Sequence, residues 1–204
     1  MYRVLTISRE YGSGGATIGR GISERLGWKV LDNAFIDNIA RAAQVDPKLA
    51  RRLDECTDSW LARLRHGLRR GAFEAVAPVR DGDFFDAETM AVLARNMIEE
   101  AYQHGNYVII GRGGQCVLHN RKDVLHVFVF APWDERVACI RQRLPGKSNL
   151  EELIRSNDRM RADYIRTYYG CNRTDPHLYQ LIINSAIGKD LVICTILKIL
   201  TAEG

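Results

Sequence analysis

Five short apolar runs constrain this chain more than any other feature: RVLTI at 3–7, KVL at 29–31, YVII at 107–110, VLHVFVF at 124–130 and LII at 181–183. Each is close to continuously hydrophobic, so each predicts a strand covered on both faces. Segments of helical period lie between them. Ile18, Ile22 and Leu26 fall four apart on one stripe of a helix over 16–26, which Gly27 stops. Ala91, Leu93, Ala94, Met97, Ile98 and Ala101 mark the inner side of a helix over 87–104, and 132–144, 149–169 and 189–200 also read as helical. Strands alternating with helices predict an α/β fold: a parallel sheet of five strands with helices on both faces.

The 204 residues, 46% of them hydrophobic, suit one domain spanning 1–204. The chain shows no internal repeat and no low-complexity tail. Helical patterns at 35–43, 47–53 and 59–68, then a glycine-bearing stretch to 86, form an arginine-rich insertion between the second and third strands. The net charge of +4 is too mild and dispersed to argue for nucleic acid, yet it fits a protein that handles small anions. Arginine outnumbers lysine, and planar guanidinium groups suit phosphate. Five scattered cysteines without a CxxC pair read as reduced thiols. The N-terminus has no leader pattern and no apolar run approaches a membrane span, so the expected setting is cytoplasmic, away from membranes.

The stretch SREYGSGGATIGRG follows the first strand and opens the first helix, the context in which a glycine-rich turn becomes a phosphate seat. Unpaired N–H groups and the positive end of the helix dipole meet an anion there. Gly12, Gly14 and Gly15 let the main chain curl close, while Ser13 and Thr17 offer hydroxyls to phosphate or to magnesium. Against the template GxxxxGK[ST] the fit is partial. With Gly14 as the second glycine, the first falls on Arg9, the lysine on Gly15 and the Ser/Thr on Ala16.

With VIIGRGG, VLHVFVFAPWDERVACIRQR, NDRMRADYIRTYY and LYQLIINSAIG, this loop resembles the cytidylate kinase-like proteins among the P-loop nucleoside monophosphate kinases. The resemblance runs over nearly the whole chain. It implies a P-loop NTPase three-layer fold, a phosphate loop at Gly12 to Thr17 (Gly12, Ser13, Gly14, Gly15, Ala16, Thr17), a helical NMP-binding insertion at 34–86 and an arginine-rich lid at 145–175. It also implies ATP and Mg2+ as cofactors and a nucleotide acceptor, most readily CMP or dCMP. Arg112 matches an arginine after strand three, Arg159 and Arg161 the lid, and Asp32 an acid after strand two. Family features absent here are the loop lysine, a Tyr-Arg pair after the strand-two acid and an Arg-Asp after strand three.

Phosphoryl transfer needs positive charge on the moving oxygens, and a guanidinium can supply it where the lysine is missing. Arg9, at the strand's carboxyl end, and Arg112, on a neighbouring strand's edge, are the first candidates; Arg9 has Glu10 as an alternative partner. Arg159 and Arg161, two apart on a helix, predict that one of them points inward. Asp32 is placed to cap the helix starting near Phe35 and to organise magnesium through water, two compatible roles. Arg136 either stacks behind the donor base or pairs with Glu135 or a neighbouring helix. Tyr164, Tyr168 and Tyr169 read as packing for the lid helix. The acceptor is expected among 34–86, where Trp60 and Phe73 are candidates to pack a base. Three readings follow: a kinase acting on (d)CMP, a kinase of the same fold with another acceptor, and a nucleotide-binding sensor with little catalysis. The partners are then small-molecule nucleotides, with room for a homo-oligomer.

Overall fold

The computed structural model describes residues 1–32, 34–35 and 87–202. The helices expected between 35 and 68, and with them most of the expected insertion, lie outside the described residues. Parallel pairing joins β1 (Val4–Arg9), β2 (Lys29–Leu31), β3 (Tyr107–Ile110), β4 (Val124–Phe130) and β5 (Leu181–Asn184) in the order β2-β3-β1-β4-β5. Ile7 is level with Ile110 on one side and Val127 on the other; β3 ends there, while β1 and β4 run on together to Arg9 and Phe130 at the same edge of the sheet. Ligands in such sheets bind outside the carboxyl ends of the strands, where the chain turns to opposite sides. Here that crevice lies beyond β1.

The helices are α1 (Gly15–Leu26), α2 (Ala87–His104), α3 (Gly114–Val117), α4 (Trp133–Arg143), α5 (Leu150–Tyr169) and α6 (Lys189–Thr201). Strand residues alternate between two cores, as the period of two requires. Leu5, Ile7, Val108, Ile110 and Val127 pack with Ile18 and Ile22 of α1 and Val192 and Ile196 of α6. Val4, Tyr107, Ile109 and Val124 pack with Leu93, Met97 and Ile98 of α2. Gly19 brings α1 onto the sheet: a Cβ there would lie 2.7 Å from the Ile110 Cδ1. Gly27 ends α1 in the left-handed conformation, its N–H donating to the Ser23 carbonyl.

Buried between β1 and β4, His126 Nδ1 lies 2.7 Å from Thr6 Oγ1 and Nε2 3.3 Å from the Leu118 carbonyl. The carbonyl can only accept, so Nε2 donates to it and Nδ1 accepts from the hydroxyl. Burial pulls His126 down to about 4, keeping it neutral.

β1 runs two residues past the expected Ile7, because Ser8 and Arg9 stay in register with Phe128 and Val129 of β4. Arg9 is therefore a ladder residue at the very edge of the crevice, fixed by the sheet.

Candidate functional site

Between β1 and α1 the chain turns at Gly12 and Gly14, with φ of 90° and 76°. Gly14 precedes α1 without any side-chain cap and no acid stands in the first turn. The helix ladder begins with Ile18 N–H donating to the Gly14 carbonyl, which leaves the amides of Gly15, Ala16 and Thr17 without helical acceptors. An anion is the charge match for that end. The hydroxyls differ from expectation. Ser13 is buried and its Oγ donates to the Glu10 carbonyl at 3.0 Å, while Ser185 Oγ donates to the Ser13 carbonyl at 2.7 Å. Ser13 thus braces the turn instead of presenting its hydroxyl, and Thr17 is the exposed one.

The lysine position is physically filled. A Cβ on Gly15 would lie 2.7 Å from Arg9 Cβ and 3.2 Å from its Cγ, so the stem of Arg9 occupies the space a side chain at 15 would enter. The guanidinium continues across β3 and lies directly on Gly111, where a Cβ would collide with Nη1. Glu10, the alternative partner, is engaged elsewhere: it pairs with Arg136 at 3.3 Å and accepts from the Ala131 amide. Burial, then the positive charges of Arg161 and Arg173, push the Arg9 guanidinium down to about 9. Such crowding of like charge is relieved by an anion.

Gly111, Arg112 and Gly113 follow β3 with φ of 84°, 51° and 79°. Arg112 holds this conformation without being a glycine, and strain of this kind gathers at sites where a side chain must be aimed. Tyr169 closes over the turn, its hydroxyl donating to the Arg112 carbonyl at 3.0 Å and its ring against Gly113. The guanidinium of Arg112 lies 5.7 Å from the centre of the Tyr164 ring.

A cavity of about 350 Å³ opens between this turn and α5, lined by Arg9, Arg112, Arg161, Arg173, Gln115 and Tyr164 among others, with no carboxylate among the described residues of its wall. Arg161 enters it and donates through Nη1 to the Arg9 carbonyl at 3.1 Å, whereas Arg159 faces solvent on the other side of α5. Burial lowers Arg161 in the same direction as Arg9, with Asp158 opposing and Arg173 adding to the shift. None of residues 12–17 lines the cavity. Loop and cavity adjoin, with Arg9 between them.

Sequence reasoning named Glu10 only as a partner for Arg9 and missed Gln115, Asp158 and Arg173. Asp158 accepts from the Tyr11 amide at 2.9 Å, from Arg173 Nη2 at 3.4 Å and from Arg136 Nη2. Arg136 also donates through Nε to the Tyr11 carbonyl at 2.8 Å, so it pairs with Glu10 and Asp158, not Glu135. Gln115 is 2% exposed, lines the cavity, and its carboxamide has no hydrogen-bond partner among the described residues. An acid three residues before Arg161 on one helix face was the available signal for Asp158; nothing marked Gln115.

Asp32 is committed as a cap. Its Oδ1 accepts from the Phe35 amide at 3.0 Å and its Oδ2 meets Arg20 Nη2 at 2.6 Å. Burial raises its pKa, but these two donors outweigh it and hold the carboxyl below the usual range. These contacts give Asp32 the capping role expected of it. Among the described residues no cluster of three or more His, Cys, Asp or Glu could hold a metal.

Sheet order, glycine loop and a crevice at the strands' carboxyl edge define a kinase fold of the P-loop class. A shikimate kinase of Bacteroides thetaiotaomicron has this fold with a TM-score of 0.54 at 16% identity, over 98% of each chain. The chain belongs to the cytidylate kinase-like family, which it matches over residues 4–187. A cytidylate kinase of Methanosarcina mazei is 28% identical over 142 residues, 67% of this chain and 79% of that protein. An uncharacterized protein of Eubacterium ventriosum superposes with a TM-score of 0.70 at 16% identity, over 98% of this chain and 99% of that one. Among the described residues no helix is long and apolar enough to cross a membrane.

Proposed function

We propose that this protein transfers the terminal phosphoryl group of ATP to the phosphate of a pyrimidine nucleoside monophosphate, CMP or dCMP. The observation that carries the reading is the place of Arg9: its stem fills the space of the missing residue-15 side chain, and its guanidinium stands at the mouth of an arginine-walled cavity. The family and the cytidylate kinase of Methanosarcina mazei support the choice of acceptor.

In this reading the amides of Gly15, Ala16 and Thr17 seat the donor phosphates, and Arg112, Arg161 and Arg173 hold the acceptor phosphate. An acceptor oxygen attacks the terminal phosphorus of ATP as its bond to the bridging oxygen breaks, giving the nucleoside diphosphate and ADP. Arg9 lies between the seats, where charge spreads over the moving oxygens, and a preformed guanidinium needs no reorganisation to meet it. Helix α5 delivers Arg161 from the lid side, so its approach both excludes water and completes the charge. Magnesium, when bound, would neutralise donor oxygens. The described residues offer it the Thr17 hydroxyl and, with Glu10 and Asp32 committed, no free carboxylate beside the loop, so no step here is routed through it.

A coupled assay of purified protein with ATP against CMP, dCMP, UMP, AMP and GMP tests the proposal, and the highest kcat/KM is expected for CMP or dCMP. ATP bound without turnover on any acceptor would assign a sensor instead, the reading that Gly15 and the committed Asp32 favour. Turnover confined to a small hydroxyl acceptor would keep the kinase and replace its substrate.

A further inference from the structure

The donor seat has a second cation that the loop itself does not carry. Lys189 is the first residue of α6, and its side chain lies across the phosphate loop: a Cβ on Gly14 would be 3.2 Å from Lys189 Cε and 4.0 Å from Cδ. The ammonium, one bond beyond Cε, is carried to the rim of the loop next to the uncapped amides that open α1. Among the described residues Lys189 makes no ion pair and no hydrogen bond. Its neighbour Asp190 is engaged with Arg25 at 3.2 Å.

This placement gathers positive charge at one rim. A cation in the first turn of α6 faces the positive end of its own helix dipole, and here it also lies over the positive end of α1. Charge of one sign from three sources, with the one acid of that first turn, Asp190, turned to Arg25, is an arrangement that a polyanion complements. Position 15 cannot supply the lysine, because the Arg9 stem is there. We propose that Lys189 provides the ammonium for the donor's phosphate chain, reaching the loop from the last helix in place of a lysine within it. The proposal rests on the loop being the ATP seat. It divides the lysine's work: Arg9 serves the cavity side of the loop and Lys189 the far side, bracketing the phosphates.

The test measures binding of ATP and of tripolyphosphate to the full chain, wild type beside Lys189→Ala, Lys189→Gln and Lys189→Arg, over a series of salt concentrations. Lys189→Ala and Lys189→Gln should weaken both ligands at least tenfold, and flatten the dependence of log affinity on log salt. Lys189→Arg should recover most of the loss, and CMP binding should be unchanged in all three. Unfolding midpoints no lower than wild type would exclude a folding defect as the cause. ATP affinity equal to wild type in Lys189→Ala would overturn the inference and leave the loop's assignment standing. Loss of ATP with tripolyphosphate unaffected would also overturn it, by moving Lys189 to the base or ribose. A wild-type protein that binds neither ligand removes the donor seat itself and the inference with it.

Discussion

Arg9 and Gly15 share one volume: a Cβ on Gly15 would lie 2.7 Å from the Cβ of Arg9. Real Cβ atoms do not approach so closely, and both contacts are at the roots of side chains on β1 and α1, where rotation gives no escape. A side chain at 15 is therefore incompatible with the Cβ that any residue other than glycine carries at 9.

The first consequence is a non-additive pair of substitutions. Gly15→Lys should destabilise by about 1–3 kcal/mol through overpacking. Gly15→Lys with Arg9→Gly should recover much of that loss, giving a coupling of about 1–2 kcal/mol in a denaturant-unfolding cycle. Simple additivity would mean that the stem does not occupy the space.

Arg9→Met tests the crowded charge. With a buried cation gone from beside Arg161 and Arg173, the ligand-free protein should melt higher, while turnover falls at least about tenfold, or roughly 1.4 kcal/mol of transition-state stabilisation. CMP at a hundred times its Kd should raise the wild-type midpoint by about 5–10 °C, and this gain should shrink sharply in the variant. Thermal melts with and without CMP read both effects.

Gln115→Leu separates acceptor binding from folding. Leucine keeps nearly the same volume and breaks no hydrogen bond to the described residues, so stability should hold. If the carboxamide bonds the acceptor, KM for CMP should increase about tenfold or more with ATP affinity unchanged. Steady-state kinetics varying each substrate in turn give the answer.

Asp158→Ala should be the most damaging of these changes to the fold. It leaves Arg136 and Arg173 buried with fewer acceptors and frees the Tyr11 amide. Loss of one partner from a buried ion pair costs about 3 kcal/mol or more, readable by urea denaturation, with Asp158→Asn intermediate.

His126 predicts a pH dependence. Its native value is about 4 against 6.5 when unfolded, so between these values the unfolded chain binds more protons and stability rises with pH. The contribution is complete above 6.5 and is lost as pH falls toward 4, at up to roughly 1.4 kcal/mol per pH unit. Stability curves of wild type and His126→Gln should differ in slope within that window and run parallel above it.

The sheet was legible because strands buried on both faces show as unbroken apolar runs, and YVII coincides with β3 residue for residue. Arg112, placed between glycines after such a strand, could be read as a crevice residue; the spacing of Arg159 and Arg161 was enough to say that one turns inward. Asp158 was not legible, since its meaning comes from Tyr11, 147 positions away, and on a charge-rich helix it looks like any solvated acid. Gln115 was hidden for a similar reason, as burial without a partner is a property of the fold around it. Ser13 misled because a hydroxyl beside glycines suits a phosphate and a turn brace equally well.

Because Arg9 is held in register with Val129 by the sheet, its charge is in position before any substrate arrives, and the glycine turn need only supply main-chain amides. In the proposed reading, a phosphate loop relieved of its lysine can drift in sequence while its electrostatics persist. Genome searches keyed to GK[ST] will pass over enzymes built this way, whereas a rule that looks for arginine at the end of the first strand together with glycine six positions later would retrieve them.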